Sequence, residues 1–293
     1  MRAIRPARVG SITNMMTVDV EDYFQVSGFE SVVTRDSWHE YESRVVRNTQ
    51  RVLELLDEAG VRATFFVLGW TAEHYPSVVR DIAAGGHYLA SHSYWHRLVY
   101  RLTPAEFRED VRRAKGVIES ISGTPVYGYR APSFSVVESS LWALDVLIEE
   151  GHTYDASIFP IRHDRYGIPD WPRQSALVRR ESGSILEVPG TALRTHGATI
   201  PLGGGYFRLF PYSWTRAAVR RMNERDRKAA MFYIHPWEFD PGQPRVAAPL
   251  FSRLRHYNQI GQTTSRFRNL LRDFAFGPIE EVALRDHSQA AAS

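Results

Sequence analysis

Four stretches of this sequence place polar, chemically competent side chains directly after apolar runs. They are Asp19, Glu21 and Asp22 in MMTVDVEDYFQV, His92 and His96 in SHSYWH, Arg130 in YRAPSF, and His235 in FYIHPWEF. On a helix, or in a turn leading into one, the i,i+4 spacing of His92 and His96 sets two imidazoles side by side. Two neutral imidazoles plus a carboxylate form a common site for a borderline divalent metal, with positions left open for water and substrate. The second position of the motif is Ser93, so the HExxH base of a metalloprotease is absent. The acids supply the third donor. On a strand, Asp19 and Glu21 point to the same face, whereas Asp22 points away unless the strand has already ended. The metal ligand is therefore Glu21 or Asp22, and the same-face argument favours Glu21. Crowded carboxylates raise each other's pKa unless a cation offsets their repulsion.

Arg130, at the end of an apolar run, can hold a carboxylate ionised through a bidentate pair. The Ser133 amide, just after Pro132, can donate to a developing oxyanion. His235 suits a general acid. Taken singly, each has a structural alternative: a pair of capping histidines, an arginine on a surface acid, a satisfied strand-end imidazole. Taken together they read as metal-assisted hydrolysis of an amide or ester, with Asp19 as base and His235 protonating the leaving group.

Such groups must be held by strand ends. NMMTVDV, ATFFVLG, HYLASHS, PVYGYR, HTYDAS, SILEVPGTAL and AAMFYIH read as short buried strands. Between several of them lie amphipathic helical patterns, including one with Thr103 as N-cap, Pro104 at N1 and Glu106 completing a capping box. Short strands alternating with helices predict parallel β/α units, and six or seven of them favour a barrel over an open sheet. No GxGxxG or GxxxxGK[ST] follows any strand, so dinucleotide and P-loop chemistry is not indicated. The chain of 293 residues has 43% hydrophobic and 24% charged residues, as an ordinary globular protein does, and no cysteine, which excludes thiolate chemistry. A net charge of +3 gives no reason to expect nucleic acid. No transmembrane run or signal peptide is evident, so a cytoplasmic location is expected, at the inner face of a membrane if associated with one.

TVDVEDYFQV, SHSYWH, RAPSF, TYDAS and FYIHPWEF, in this order, resemble the motifs of the NodB-homology polysaccharide deacetylases, carbohydrate esterase family 4. More narrowly, HYNQIGQTTSRFRNLL and PLGGGYFRLFPY are similar to the C-terminal extension of the exosortase-associated exopolysaccharide subgroup. The resemblance implies a distorted (β/α)7 barrel of the NodB-homology type within an α/β class. It implies one domain over residues 12–275, with a core of about 12–240 and an extension of about 241–280, and flexible tails at 1–11 and 281–293. It implies Asp19 as base, Arg130 orienting it, Ser133 as oxyanion donor, Asp155 holding the acid histidine or Arg130, and His235 as general acid. It implies a divalent metal, zinc before cobalt or another ion, on His92, His96 and one of Glu21 and Asp22. Ile234 is expected against the acetyl methyl, with Trp95, Phe134, Tyr206, Phe207 and Trp237 lining a groove for an N-acetylated glycan. Peripheral contact with membrane-bound exopolysaccharide machinery is a further expectation. The rival readings are a cyclic-amide hydrolase of the allantoinase type and a catalytically silent glycan-binding protein.

Overall fold

The computed structural model describes residues 12–163, 165–195 and 198–290. In chain order, β1 (Thr13–Val20) leads to α1 (Val45–Ala59), β2 (Thr64–Val67) to α2 (Gly69–His74) and α3 (Pro76–Ala84), and β3 (Tyr88–Ser91) to α4 (Pro104–Ser122). β4 (Gly128–Tyr129) leads to α5 (Ala143–Glu149), and β5 (Tyr154–Asp155) precedes an antiparallel hairpin of β6 (Ala176–Arg180) and β7 (Gly183–Glu187). A separate hairpin, β8 (Ala192–Thr195) with β9 (Ala198–Pro201), comes before α6 (Gly204–Leu209) and α7 (Tyr212–Glu224). The chain continues through β10 (Met231–Ile234), α8 (Leu250–Tyr257), α9 (Thr263–Asp273), β11 (Ala275–Gly277) and α10 (Ile279–Ala290).

The main sheet runs β10-β1-β2-β3-β4-β5-β7-β6, with β11 beside β1, and all its pairings are parallel except β6 with β7. β1 to β5, β7 and β10 form seven parallel strands, most of them joined by helical crossovers, and make the distorted (β/α)7 barrel that the sequence leads one to expect. Among the described residues no pairing joins β6 to β10, so the barrel stays open there. Local signals set the helix ends: in α4 the Glu106 amide donates to Thr103 Oγ1 at 3.3 Å, the Thr103 amide donates to Glu106 at 2.9 Å, and Gly123 stops the helix at φ 68°.

Strand alternation divides the core in two. Met16, Val18 and Val20 of β1 pack outward with Phe65, Val67, Phe232 and Ile234 against the helices. Met15 packs inward with Phe66, Ala90, Tyr154, Met231 and Tyr233. Asp19 shares the parity of Met15 and Thr17, so the barrel interior receives it.

Residues from 281 were expected to form a tail, and here the structure differs. α10 runs to Ala290, burying Ile279 and Ala283 against the interior cluster. Glu280 accepts from Thr64 Oγ1 at 2.5 Å and from the Tyr154 hydroxyl, and the Ile279 amide donates to Thr64 Oγ1 at 2.9 Å. Thr64 and Tyr154 begin β2 and β5, so α10 plugs the N-terminal mouth of the barrel and leaves the C-terminal mouth for chemistry. Residues 1–11 and 291–293 lie outside the described residues. No described helix is long and apolar enough to cross a membrane.

Candidate active site

β1 ends at Val20 in a tight turn, the Glu21 amide donating to the Asp19 carbonyl at 3.1 Å. Glu21 stays on the side of Asp19, and Asp22 leaves it. Asp22 Oδ2 accepts from Ser43 Oγ at 2.7 Å and from the amides of Arg44 and Val45 at 2.8 and 3.1 Å. It thereby satisfies the open N–H groups at the start of α1. Asp22 is thus committed to the helix, and the acid that faces the histidines is Glu21.

Glu21, His92 and His96 form a buried triad able to bind a divalent metal, their ligand atoms all within 4.8 Å of one another. His92 Nδ1 donates to the Arg130 carbonyl at 2.9 Å, which leaves the Nε2 lone pair as the ligand. Burial holds this imidazole down at about 4, so it is neutral near pH 7. Burial alone would raise Glu21, but the surrounding imidazoles, His96 first and then His235 and His92, together bring the carboxyl down to about 2. His96 Nε2 lies 2.7 Å from Glu21 Oε2, yet that buried oxygen makes no hydrogen bond. A buried carboxylate oxygen left without a donor, beside two imidazole nitrogens, fits a cation between them.

The motif SHSYWH is a loop and not a helix. Ser93 and His96 adopt left-handed φ values of 68° and 52°, conformations that cost on the order of 1–3 kcal/mol each and persist only where neighbours enforce them. Two residues enforce this one. Asp110 of α4 accepts from the amides of Tyr94 and Trp95 at 2.7 and 3.1 Å, and Arg35 donates to the carbonyls of Trp95 and His96 at 2.6 and 3.2 Å. Neither figures in the sequence reading. Asp110 carries a signal, since it is an acid on the buried stripe that Phe107, Val111, Ala114 and Ile118 define.

Asp19 and Arg130 form an ion pair of 2.6 Å with both side chains buried. The same Arg130 nitrogen donates to Thr17 Oγ1 at 2.9 Å, and the guanidinium lies over the Phe66 ring, 4.1 Å from its centroid. Only Asp19 Oδ1 is engaged with the arginine. Oδ2 looks toward His235, whose Nε2 is 3.9 Å away and also 3.8 Å from Glu21 Oε1.

The other ring nitrogen of His235 is 3.3 Å from Glu238, a residue the sequence reading missed. Glu238 accepts from the His235 amide at 2.9 Å and from Arg208 at 2.8 Å. Arg208, fully buried, donates to the carbonyls of His256 and Asn258 at 2.6 and 2.9 Å. Burial opposes charge on both His235 and Glu238. Arg208 and the imidazole nevertheless bring Glu238 down to about 2, while Glu238, Glu21 and Asp19 push His235 up to about 9. A cation in the triad would take up part of the attraction from Glu21 and lower that value. Trp237 ties the two halves together, stacking on His235 with centroids 5.2 Å apart and donating to Glu21 Oε1 at 3.2 Å.

These groups line a cavity of about 220 Å³. Phe134 and Trp237 line it, joined by Tyr166 and Tyr233, and Ser133 lines it at φ 53° with its hydroxyl 2.9 Å from that of Ser27. Four expectations are corrected. Ile234 is buried in the helix-facing cluster, because the two-residue period of β10 turns Tyr233 and His235 inward and Ile234 outward. Phe207 packs on Phe232 in that same cluster. Trp95 sits behind the metal loop against Trp38 and Tyr94, and Tyr206 backs Tyr166 and does not line the cavity. The glycines before it have a packing reason: a Cβ at Gly203, whose φ is 100°, would fall 2.6 Å from the Tyr233 ring.

Asp155 stands opposite Glu187 across β5 and β7, and of its two expected partners it meets Arg130, whose charge favours its ionised form, and not His235. Burial pushes both carboxyls up, and the Asp155 charge pushes Glu187 further. Ser157 donates to Asp155 and accepts from the Ala131 amide at 2.7 Å, which holds the backbone directly after Arg130.

A chitooligosaccharide deacetylase from Bradyrhizobium sp. (strain ANU 289) is 31% identical over 189 residues, which is 64% of this chain and 77% of that protein. The chain belongs to the NodB-homology polysaccharide deacetylases. A model described as polysaccharide deacetylase matches residues 35–147 of this family member, and one described as a domain of unknown function, DUF3473, matches residues 156–284. The chain spans only about a third of the length of two other relatives it matches, 36% and 32%. Its barrel is similar to a solved structure from Mycobacterium smegmatis at 19% identity, with a TM-score of 0.63 over 98% of this chain and 93% of that one. It is also similar to the Puue allantoinase at 16% identity, with a TM-score of 0.64 over 94% and 90%. At these identities the likeness is one of fold.

Proposed function

We propose that this polysaccharide deacetylase family member is a metal-dependent hydrolase that removes N-acetyl groups from N-acetylhexosamine units of an exopolysaccharide or its lipid-linked precursor. We read it as one of the exosortase-associated subgroup, with residues 241–280 as part of the same domain. The observation that carries the reading is the three-part base of the cavity: a Glu21–His92–His96 triad, an arginine-held Asp19 on one side and a glutamate-held His235 on the other. Zinc suits the two imidazoles and one carboxylate, and when bound it supplies Lewis acidity toward an amide carbonyl and toward water. The chain's own groups do the rest. Asp19 Oδ2, free of Arg130, takes a proton from the attacking water, and Arg130, itself held by Thr17, keeps that carboxylate from turning. His235 donates a proton to the departing amine. Glu238 supports the imidazolium before transfer, and the Trp237 indole holds the ring plane. The Ser133 amide is the oxyanion donor in this scheme. The Bradyrhizobium relative's name supports a glycan substrate, and the cavity of about 220 Å³ has room for the sugar unit that carries the acetyl group.

The test is acetate release from N-acetylglucosamine oligomers by metal-analysed protein, with chelator and after zinc is restored. Loss on chelation and recovery with zinc is the expected result. Activity indifferent to chelation overturns the scheme. The cavity lining, which lacks Trp95, Tyr206 and Phe207, also favours a second reading, hydrolysis of a small cyclic amide. Turnover of allantoin with no acetate released from any oligomer would select it.

Glu238→Gln provides a pH test. Removing the glutamate charge 3.3 Å from Nδ1, taken as comparable to a hydrogen bond to a charged group at about 1.5–3 kcal/mol, lowers the His235 pKa by about 1–2 units at about 1.36 kcal/mol per unit. An acid is active while protonated, so activity falls as pH rises through its pKa. The alkaline limb of kcat/KM should therefore move to lower pH by that amount. An unmoved limb would assign it to another group.

A further inference from the structure

Among the described residues, the three most exposed large apolar side chains stand on one helix. Leu250, Phe251 and Leu254 of α8 are 68%, 79% and 61% exposed. Spacings of three and four make them neighbours on one side. The helix is anchored from behind: His256 is buried, stacks on Trp237 with centroids 4.0 Å apart, and its Nε2 lies 2.8 Å from Gln243 Oε1. The apolar ridge is thus held outward by packing.

Its charge is one-sided. Residues 241–272 contain six arginines and neither Asp nor Glu. Arg266 donates to the carbonyls of Phe207, Arg208 and Phe210, Arg268 pairs with Glu58, and Arg272 with Asp273. Arg245, Arg253 and Arg255 have no carboxylate partner among the described residues. Arg245 lies over the Tyr257 ring, 4.1 Å from its centroid. Together with Arg253, Leu250 and Leu254 it lines a shallow cleft of about 210 Å³. Two leucines and two unpaired guanidiniums around one cleft match a ligand with an alkyl part and an anionic head. A second copy of the chain across a two-fold axis would set arginine against arginine. A neutral glycan would leave those cations unanswered.

We infer that α8 docks the protein on an anionic lipid surface. Leu250, Phe251 and Leu254 enter the acyl boundary, and Arg245 and Arg253 meet lipid phosphates. Phe251, Ser252 and Arg255 also form the lip of the catalytic cavity, so docking turns that mouth toward the membrane. The inference does not depend on which amide is hydrolysed.

The test is cosedimentation of the full chain with large unilamellar vesicles, either phosphatidylcholine alone or phosphatidylcholine and phosphatidylglycerol in equal parts. Binding to the anionic vesicles should be at least about tenfold tighter, at roughly one charge interaction per arginine, and should weaken with added salt. Leu250→Ser with Leu254→Ser should abolish binding without altering the thermal melt or the turnover of soluble oligomers. Arg245→Gln with Arg253→Gln should erase the preference for anionic lipid. Absence of binding to either vesicle overturns the inference, as does equal binding to both. Concentration-dependent dimerisation lost in the double-serine variant would assign the ridge to a second copy and overturn it too. Failed turnover with intact vesicle binding would count against the proposed reaction alone.

Discussion

Asp19→Asn is expected to lower kcat/KM for acetate release by about 10³-fold, within the range lost when a positioned general base is removed, while metal content stays the same. The substitution is close to isosteric. The new amide oxygen can still accept from Arg130 at the place where Oδ1 now accepts at 2.6 Å. What disappears is the proton acceptor at Oδ2. Glu21, His92 and His96 form the triad without Asp19, so the variant should bind zinc as the wild type does. Elemental analysis and steady-state kinetics on the same preparation check both halves. Full activity would remove Asp19 from the role of base. Loss of metal together with activity would make it a ligand.

The three acids at the end of β1 show what a sequence discloses and what it withholds. The pleat alone puts Asp19 and Glu21 on one side, and they are on one side. The fate of Asp22 is decided by Ser43, Arg44 and Val45, more than twenty positions away, and no local pattern marks them as its partners. The same pleat applied to MFYIH puts Tyr233 beside His235 and Ile234 behind the sheet. The family pattern draws the eye to Ile234, and here the physical rule is the better guide. Glu238 was within reach, since His-Pro-Trp-Glu after a strand is a helix-start pattern in which the third residue folds back. Arg208 was not, because a buried arginine in a six-residue helix is recognised only through the groups it meets. The long periodic helices and the parallel strands are legible for the same reason that short elements are not. β8, β9 and α6 span too few residues for a period to register, and α8 lacks the clear apolar-in, polar-out pattern because its leucines face outward.

Arg130→Gln should be the most destabilising single substitution in the site, by about 3–5 kcal/mol, the range found when one partner of a buried ion pair is removed. For a chain of this size that corresponds to a melting temperature lower by roughly 10 °C. Arg130 has no exposed surface, and its guanidinium serves Asp19, Thr17 and the Ala156 carbonyl at once. Glutamine is too short to reach all three and leaves Asp19 buried beside Glu21 without its cation. Thermal melts of wild type, both single variants and the double variant separate this cost from simple loss of packing. If the cost is the stranded charge, adding Asp19→Asn to Arg130→Gln should recover part of the stability, since no unpaired charge then remains. If it is packing, the two losses should add. Acetate release should not return in the double variant under either outcome, because the proton acceptor is gone. Stability restored without activity would separate what this pair does for the fold from what Asp19 does for the reaction.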